Sequence, residues 1–210
     1  MIRTSSGSLL LGTLTLASPN IIFYVASVYL ISYGQDYAGY DYKTIFLALI
    51  LAAFIQVFTV PLVATIADRI GKKKMMIIGA VTVAIVIYPV FWLIDSGQTY
   101  GVFAAMLLAL PFAHAMAYAV VASFIPELFA PEVRFTGSAL AYQFGGIITS
   151  APAPLIAETL MQKTGNSMFI AVYVSGAALI GLIAIVLGKQ YKKPSTTTQP
   201  SVGTHQSEVS

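Results

Sequence analysis

The stretch ATIADRIGKKKMMIIG (residues 64–79) places five charged residues within seven positions, between two long apolar segments. The whole chain has only eleven Lys or Arg and eight Asp or Glu, while 58% of its 210 residues are hydrophobic. Charged residues make up 9% of the chain, against about 25% in typical soluble domains. The five charges therefore mark a polar loop between segments that avoid water.

Six apolar segments are each about as long as a bilayer is thick. A helical span needs about 20 apolar residues at 1.5 Å rise to cross roughly 30 Å of hydrocarbon. Such segments are too long for barrel strands, so helices must satisfy their backbone. We predict an all-α polytopic bundle over residues 1–193, with spans one to six at Leu9–Tyr33, Thr44–Ala67, Met75–Ile94, Tyr100–Phe124, Gly137–Leu160 and Met168–Leu187.

The N-terminus also has features of a cleaved signal peptide. Arg3 precedes a short apolar stretch, and small residues follow near Ala17. The apolar character resumes at once in IIFYVASVYLIS (residues 21–32), so cleavage would leave half a span. We therefore predict an uncleaved helix with Pro19 about midway, and cleavage is the alternative.

The distribution of Lys and Arg predicts the orientation of the bundle. With the N-terminus inside, nine of these residues lie in inner loops and tails, and only Lys43 and Lys163 lie outside. Basic residues near span ends favour the cytoplasm, so both termini are predicted to be cytoplasmic. Residues 194–210, PSTTTQPSVGTHQSEVS, are polar and are predicted to form a disordered tail.

The charged loop resembles the signature loop of the major facilitator superfamily, Gly-x-x-x-Asp-Arg-x-Gly-Arg-Lys, with Ala64 in place of the first glycine. The resemblance implies a cytoplasmic latch that holds the two halves of a transporter together. Its residues would be Asp68, Arg69, Gly71, Lys72 and Lys73, joined by Glu127 and Arg134 of the next inner loop. The alternative is a basic loop that only fixes orientation.

Further stretches resemble the metabolite:proton symporter family within that superfamily. They are PELFAPEVRFTGSALAYQ (126–143), APLIAETLMQKTG (153–165), FYVASVYLISY (23–33) and VFWLIDSG (90–97). The resemblance implies helices 7–12, one half of the transporter fold with two inverted three-helix repeats, in a bacterial inner membrane. It also implies proton symport of metabolites such as shikimate, citrate, proline or betaine, and sodium coupling remains open.

Two departures from the family pattern prevent transfer of a particular substrate. Tyr118 is followed by Ala-Val-Val where the family usually has Gly-Pro-Gln, and ITSAPAP (148–154) replaces a glycine run. We therefore expect only a small polar metabolite, an organic acid or a zwitterion.

Polar residues in the spans are the candidates for the substrate and proton pathway. The resemblance implies that spans one and four line a central cavity while spans three and six face lipid. Asn20, Tyr24 and Ser27 recur at i, i+4 and i+7 on one helix face of span one. His114, Tyr118 and Gln143 complete the set, because an ionisable histidine at membrane depth is a functional candidate. Hydrogen bonding between helices is the alternative for these residues.

Span five carries a different pattern. Small residues recur every four positions at Gly137, Ala141, Gly145, Thr149, Ala153 and Ala157. Such a stripe lets another helix approach closely. Pro152 and Pro154 are expected to kink or unwind this helix on the outer side of its middle, since proline lacks the backbone N–H. Close packing is the predicted role of the span, and gating by the kink is the alternative.

The predicted half raises the question of its partner. Alternating access needs two bundles around a site at the midplane, so the partner is expected to be an N-terminal six-helix half or a second copy. The chain could be a gene remnant, a split half, a half-size homodimer or a non-transporting membrane subunit. The sequence shows no metal-ligand spacing, phosphate-binding loop or nucleophile–base pair, so we predict no cofactor, no enzyme activity and no nucleic-acid partner.

Overall fold

The computed structural model of the protein describes residues 2–188, with side chains from Ser6 onward, and this part of the chain is helical without strands. The α-helices are α1 (Ile2–Thr15), α2 (Ala17–Tyr24), α3 (Leu30–Asp36), α4 (Tyr42–Ile70), α5 (Lys72–Asp95), α6 (Thr99–Leu107), α7 (Ala115–Tyr118), α8 (Val121–Phe124), α9 (Arg134–Gly145), α10 (Ala153–Thr164) and α11 (Met168–Leu187). The predicted tail at 194–210 lies outside the described residues, as do Lys189, Lys192 and Lys193.

Several of these helices run on into one another. Val25–Tyr29, Leu108–His114 and Gly146–Ser150 are π-helical, and Ile125–Leu128 is a 3₁₀ turn. Five helical stretches of residues 2–188 are long and apolar enough to cross a bilayer: Ser6–Asp36, Tyr42–Ile70, Lys72–Asp95, Thr99–Leu128 and Met168–Leu187. They correspond to spans one, two, three, four and six.

The predicted fifth span is divided into two shorter helical pieces. One runs from Arg134 to Ser150, and the second is α10, with turn residues Ala151 and Pro152 between them. The prediction that prolines unwind this helix is confirmed, because Pro152 and Pro154 each remove a backbone donor from the ladder.

The main contacts between the spans keep the same pairing when the first three spans are exchanged for the last three. Span three packs on span six, and each of them also packs on the first helix of the other triplet, span three on span four and span six on span one. Span one packs on span five, and span four packs correspondingly on span two. This is the arrangement expected of two three-helix repeats.

Among these five stretches, spans one and four are the most buried, and span two is the least. Spans three and six bury slightly less than half of their apolar windows, so they have both a packed and an outward face. Outward side chains such as Phe54, Phe58 and Trp92 are large and apolar. An apolar exterior is expected where lipid rather than water is the solvent.

Close helix packing uses small residues, as the stripe in span five predicts. Ala141 packs beside Gly12, and Gly145 packs beside Leu16, both on span one. Gly79 of span three lies so close to span four that an added Cβ would overlap the backbone of Met116 and Ala117. Backbone atoms cannot move aside as a flexible side chain can, so this crossing requires glycine.

Candidate functional site

The centre of the bundle holds a histidine with one polar partner from a neighbouring span. His114 ends the π segment of span four and is buried, with 5% of its surface exposed. Its Nδ1 lies 2.7 Å from Nε2 of Gln56 on span two. An amide nitrogen can only donate, so Nδ1 accepts and the neutral ring carries its proton on Nε2. Turning the amide over would let its oxygen accept from an Nδ1–H, which is present in the other neutral tautomer and in the doubly protonated ring.

Aromatic side chains connect this histidine to the surface of the bundle. Tyr118 stacks on His114 with ring centroids 5.0 Å apart, and Phe23 of span one approaches to 5.1 Å. Phe23 in turn meets the edge of Tyr24 at 5.7 Å. Tyr24, Phe23 and Tyr118 are all exposed, so a buried titratable group adjoins an open aromatic face.

A π-helical segment sets the position of the His114 side chain. His114 follows Pro111, and Pro111 cannot donate to the helix ladder. The resulting π turn shifts the side chains that follow, and π segments occur often at functional sites. Span one has its π segment at Val25–Tyr29, directly after Phe23 and Tyr24.

The remaining predicted pathway residues are placed less centrally. Asn20 donates from Nδ2 to Oγ1 of Thr149 at 3.2 Å, which joins spans one and five. Ser27 donates to the carbonyl of Phe23 in its own helix at 2.6 Å. Gln143 is exposed on span five. The structure therefore links Tyr24 to Phe23, Phe23 to His114 and His114 to Tyr118 in one row of rings, called the central group together with Gln56. It does not bring Ser27 or Gln143 into that group.

One end of the bundle carries the predicted latch residues and is called the basic end. Lys72 Nζ lies 2.6 Å from Oε1 of Glu127, which ties span three to span four. Lys73 donates to the carbonyls of Val186 and Gly188 at 2.9 and 2.8 Å. These carbonyls end span six, where a cation is electrostatically favourable.

The turn at the basic end depends on Gly71. Its φ of 98° and ψ of 135° lie in a region that other residues rarely adopt, and it both ends α4 and begins α5. Asp68 and Arg69, just before it, are exposed. Arg134 reaches the carbonyl of Phe129 at 3.4 Å, and its buried Nε has no hydrogen-bond partner among residues 2–188.

The opposite end, called the tyrosine end, has a network that the sequence analysis did not predict. Asp95 accepts from Tyr33 and from Ser167, each at 2.5 Å, which joins spans one, three and six. Tyr37 donates to Glu158 of α10 at 2.7 Å, and this hydrogen bond raises the pKa of Tyr37.

A cavity of about 450 Å³ opens at the tyrosine end. Its lining residues are Tyr33, Tyr37, Ala38, Asp95, Met161, Gly165, Asn166 and Ser167. No group of three or more His, Cys, Asp or Glu within residues 2–188 is placed to hold a metal ion.

Comparison with known proteins identifies the family. The profile of the Major Facilitator Superfamily matches residues 3–154 of the chain. This chain belongs to the Major Facilitator Superfamily. Its apolar helices and this membership make it an integral, multi-pass membrane protein.

Curated relatives have transporter names. The inner membrane metabolite transport protein YhjE of Escherichia coli is 29% identical over 192 residues, which cover 88% of this chain and 43% of that protein. The proline/betaine transporter of Escherichia coli is 26% identical over 81% of this chain and 34% of its own length. The citrate-proton symporter of Klebsiella pneumoniae is 24% identical over 82% and 39%, respectively.

These superfamily relatives point to membrane transport of small metabolites rather than to an enzyme. The chain spans about two fifths of the length of the first curated relatives that it matches. No solved structure matches it significantly.

Two residues of the central group and one partner of Asn20 were not predicted from the sequence, for identifiable reasons. Gln56 is a polar residue in the apolar run of span two, and that rarity was an available signal. Phe23 gave no signal, because an aromatic residue in a span is usually a packing residue. Thr149 was read only as a member of the small-residue stripe, although its hydroxyl accepts from Asn20.

Proposed function

We propose that the chain is one half of a proton-coupled secondary transporter for a small polar metabolite. It would correspond to helices 7–12 of a major facilitator. The observation that carries the proposal is the buried His114, which has a polar partner in Gln56 and adjoins the open face of Tyr24 and Tyr118. Histidine is the side chain whose ordinary titration lies nearest to physiological pH.

The geometry around His114 supports proton uptake and release. Gln56 can donate to the neutral ring or accept from the charged ring, so either state keeps its partner. A titratable side chain in contact with the ring is that of Tyr118, which stacks on it. Within residues 2–188, no Asp, Glu, Lys or Arg forms a hydrogen bond or an ion pair with His114. A proton on this ring would therefore add an uncompensated charge, which a substrate anion or a helix movement could relieve.

The proposed half-transporter status has two supports. The aligned part of the chain covers 43% of the length of its metabolite-transport relative, and the main contacts between the spans pair as expected for two three-helix repeats. The partner would be an N-terminal six-helix half or a second copy, and Asp68 and Arg69 would face it from the basic end. The substrate would be an organic acid or a zwitterion, in keeping with the names of the relatives.

We also propose a bacterial inner membrane, with the basic end and both termini in the cytoplasm. The excess of Lys and Arg in the predicted inner loops supports this orientation. Cysteine is absent from the chain, so single cysteines at Lys74 and Lys43 can be labelled in intact cells. A thiol reagent that cannot cross the membrane should label K43C in intact cells and should label K74C only after lysis. The reverse pattern would contradict the orientation.

The proposal that the chain is one half of a transporter is tested by sequencing the DNA upstream of the codon for Met1. A frame that encodes six more apolar spans and a second Asp-Arg-x-Gly loop would support it. Uptake of radiolabelled metabolites should then require co-expression of both halves. Uptake by cells that express residues 1–210 alone would contradict the need for an N-terminal half and would favour the homodimer.

The proton role is tested in a protein with a single histidine. The chain has two histidines, so His205→Asn leaves His114 alone for ¹⁵N NMR in nanodiscs. We expect a neutral ring protonated on Nε2 that becomes doubly protonated on acidification, and Gln56→Leu should mix the two neutral tautomers. Thr59→Val is the control, because Thr59 bonds only its own helix carbonyl at Gln56. If His114 kept a single protonation state over the whole pH range in which the assembled transporter is active, the proton role would be contradicted.

A further inference from the structure

A cavity of about 520 Å³ opens at the basic end and is called the arginine cavity. Its lining residues are Pro126, Pro131, Arg134, Phe135, Ser138 and Ala139. They come from the end of span four, the turn that follows it and the start of α9. The lining contains one cationic side chain and no carboxylate, and most of its other side chains are apolar. These walls match an anion that carries an apolar portion.

The guanidinium of Arg134 has little to balance its charge. A single N–H of this side chain forms a hydrogen bond within residues 2–188, from Nη2 to the carbonyl of Phe129 at 3.4 Å. That distance is long, since a cationic N–H usually approaches its acceptor to about 2.7–2.9 Å. The Nε is buried without a partner, and no Asp or Glu of the described chain forms an ion pair with Arg134. An anionic acceptor would therefore stabilise this side chain.

The polar groups nearest in sequence do not supply that acceptor. Glu127 pairs with Lys72, and Glu132 is exposed and does not line the cavity. The hydroxyl of Ser138 donates to the carbonyl of Arg134 in its own helix at 2.7 Å. The acceptor for Arg134 must therefore come from outside the described residues.

The surroundings of the cavity indicate which anion it takes. Phe135 lines the cavity with 88% of its surface exposed, which is unfavourable in water and favourable among acyl chains. The cavity lies at the end of the spans, where the head groups of a bilayer begin. Basic pockets between helices at this boundary suit lipid head groups, and the planar fork of an arginine matches two phosphate oxygens.

From these observations we infer that the arginine cavity binds the phosphate group of an anionic phospholipid, with an acyl chain beside Phe135. A lipid without net charge is disfavoured, because the lining offers no carboxylate to its ammonium group. The inference needs only the membrane location of the chain and does not depend on transport. The predicted latch would instead give Arg134 a carboxylate of a partner half, and the assembled transporter distinguishes the two.

Lipid binding can be measured on the full chain in detergent micelles by native mass spectrometry. The probes are dioleoylphosphatidylglycerol and dioleoylphosphatidylcholine, which have the same acyl chains and differ in net charge. Inorganic phosphate supplies the anion without acyl chains. We expect the first phosphatidylglycerol to bind about tenfold more tightly than phosphatidylcholine, and inorganic phosphate at equal concentration not to displace it.

Matched variants locate the site. Arg134→Gln should reduce the preference for phosphatidylglycerol to less than about twofold. Lys74→Gln removes the same charge from an exposed position of the basic end outside the cavity, and it should keep the preference. Phe135→Ala should weaken both lipids about threefold by loss of apolar contact and leave their ratio unchanged.

A variant that leaves Arg134 in place tests the site even if Arg134→Gln fails to fold. Ala139 is exposed and lines the cavity, so Ala139→Trp should fill the cavity without removing the cation. We expect this variant also to lose the preference for phosphatidylglycerol. If it kept the full preference, the lipid would bind elsewhere and the inference would be overturned.

Several other outcomes would overturn the inference. Equal binding of the two lipids would remove the selectivity, and equal losses in Arg134→Gln and Lys74→Gln would show only a diffuse attraction to the basic end. Displacement by inorganic phosphate at equal concentration would identify a site for free phosphate. A preference that disappears on co-expression of a partner half would assign Arg134 to a carboxylate of that half. A preference retained by an assembly that transports no metabolite would support the lipid site and contradict only the proposed function.

Discussion

The two ends of the bundle hold their charges in different ways. At the basic end, Lys72 pairs with Glu127, and Lys73 caps the last carbonyls of span six. At the tyrosine end, Asp95 and Glu158 receive hydrogen bonds from neutral groups alone. The basic end therefore contains an ion pair between two spans, whereas neither Asp95 nor Glu158 forms an ion pair with a described side chain.

The two arrangements have different effects on stability. An ion pair at a surface contributes little to stability and weakens with salt. A carboxylate that accepts from buried hydroxyls fixes the positions of several helices and still presents a field to a ligand. The tyrosine end is therefore expected to be the more sensitive to single substitutions and the less sensitive to salt.

The largest effect is expected at Asp95. Asp95→Ala leaves the hydroxyls of Tyr33 and Ser167, both buried, without their acceptor. The hydrogen bonds that join spans one, three and six at this point are then lost. We expect a loss of about 3 kcal/mol in the free energy of unfolding, measured by detergent-induced unfolding. Asp36→Ala is the control. Asp36 is an exposed carboxylate at the end of span one, so its loss should change the free energy of unfolding by less than about 0.5 kcal/mol. If both variants lost the same free energy of unfolding, the hydrogen bonds of Asp95 to Tyr33 and Ser167 would contribute no more to stability than an exposed carboxylate does.

An intermediate effect is expected at the turn of the basic end. Gly71→Ala forces a side chain into a φ of 98° and should cost about 1–2 kcal/mol. Gly176→Ala is the control, because open space surrounds Gly176 in span six and alanine favours a helix by up to about 1 kcal/mol. The two variants should therefore shift unfolding in opposite directions. A stabilising Gly71→Ala would show that the turn relaxes.

The smallest effect is expected for the ion pair of the basic end. Both side chains are about one-third exposed, so a double-mutant cycle of Lys72→Met and Glu127→Gln should give a coupling below about 1 kcal/mol. That coupling should fall in high salt, while the loss at Asp95 should not. Lys74→Met, at an exposed neighbour, supplies the control. A coupling as large as the Asp95 effect would make the two ends equivalent.

Particular residues show how far sequence reasoning reached into the site. His114 and Tyr118 could be predicted, because an ionisable residue and a neighbour one turn away are conspicuous in an apolar span. Ser27 also shared the predicted polar face, yet its hydroxyl bonds its own helix. A serine in a helix always has a local carbonyl within reach, and the sequence cannot tell which acceptor it will take.

The sequence by itself determined the class of the protein, the apolar segments and the position of the charged turn. These properties depend on local composition and on the length needed to cross a bilayer. Only the tertiary structure joined Gln56 to His114 and brought Tyr33, Asp95 and Ser167 together. Such partners lie 58 to 72 residues apart in the chain. Their meeting depends on helix packing and on the register shifts of π segments, which no local pattern encodes.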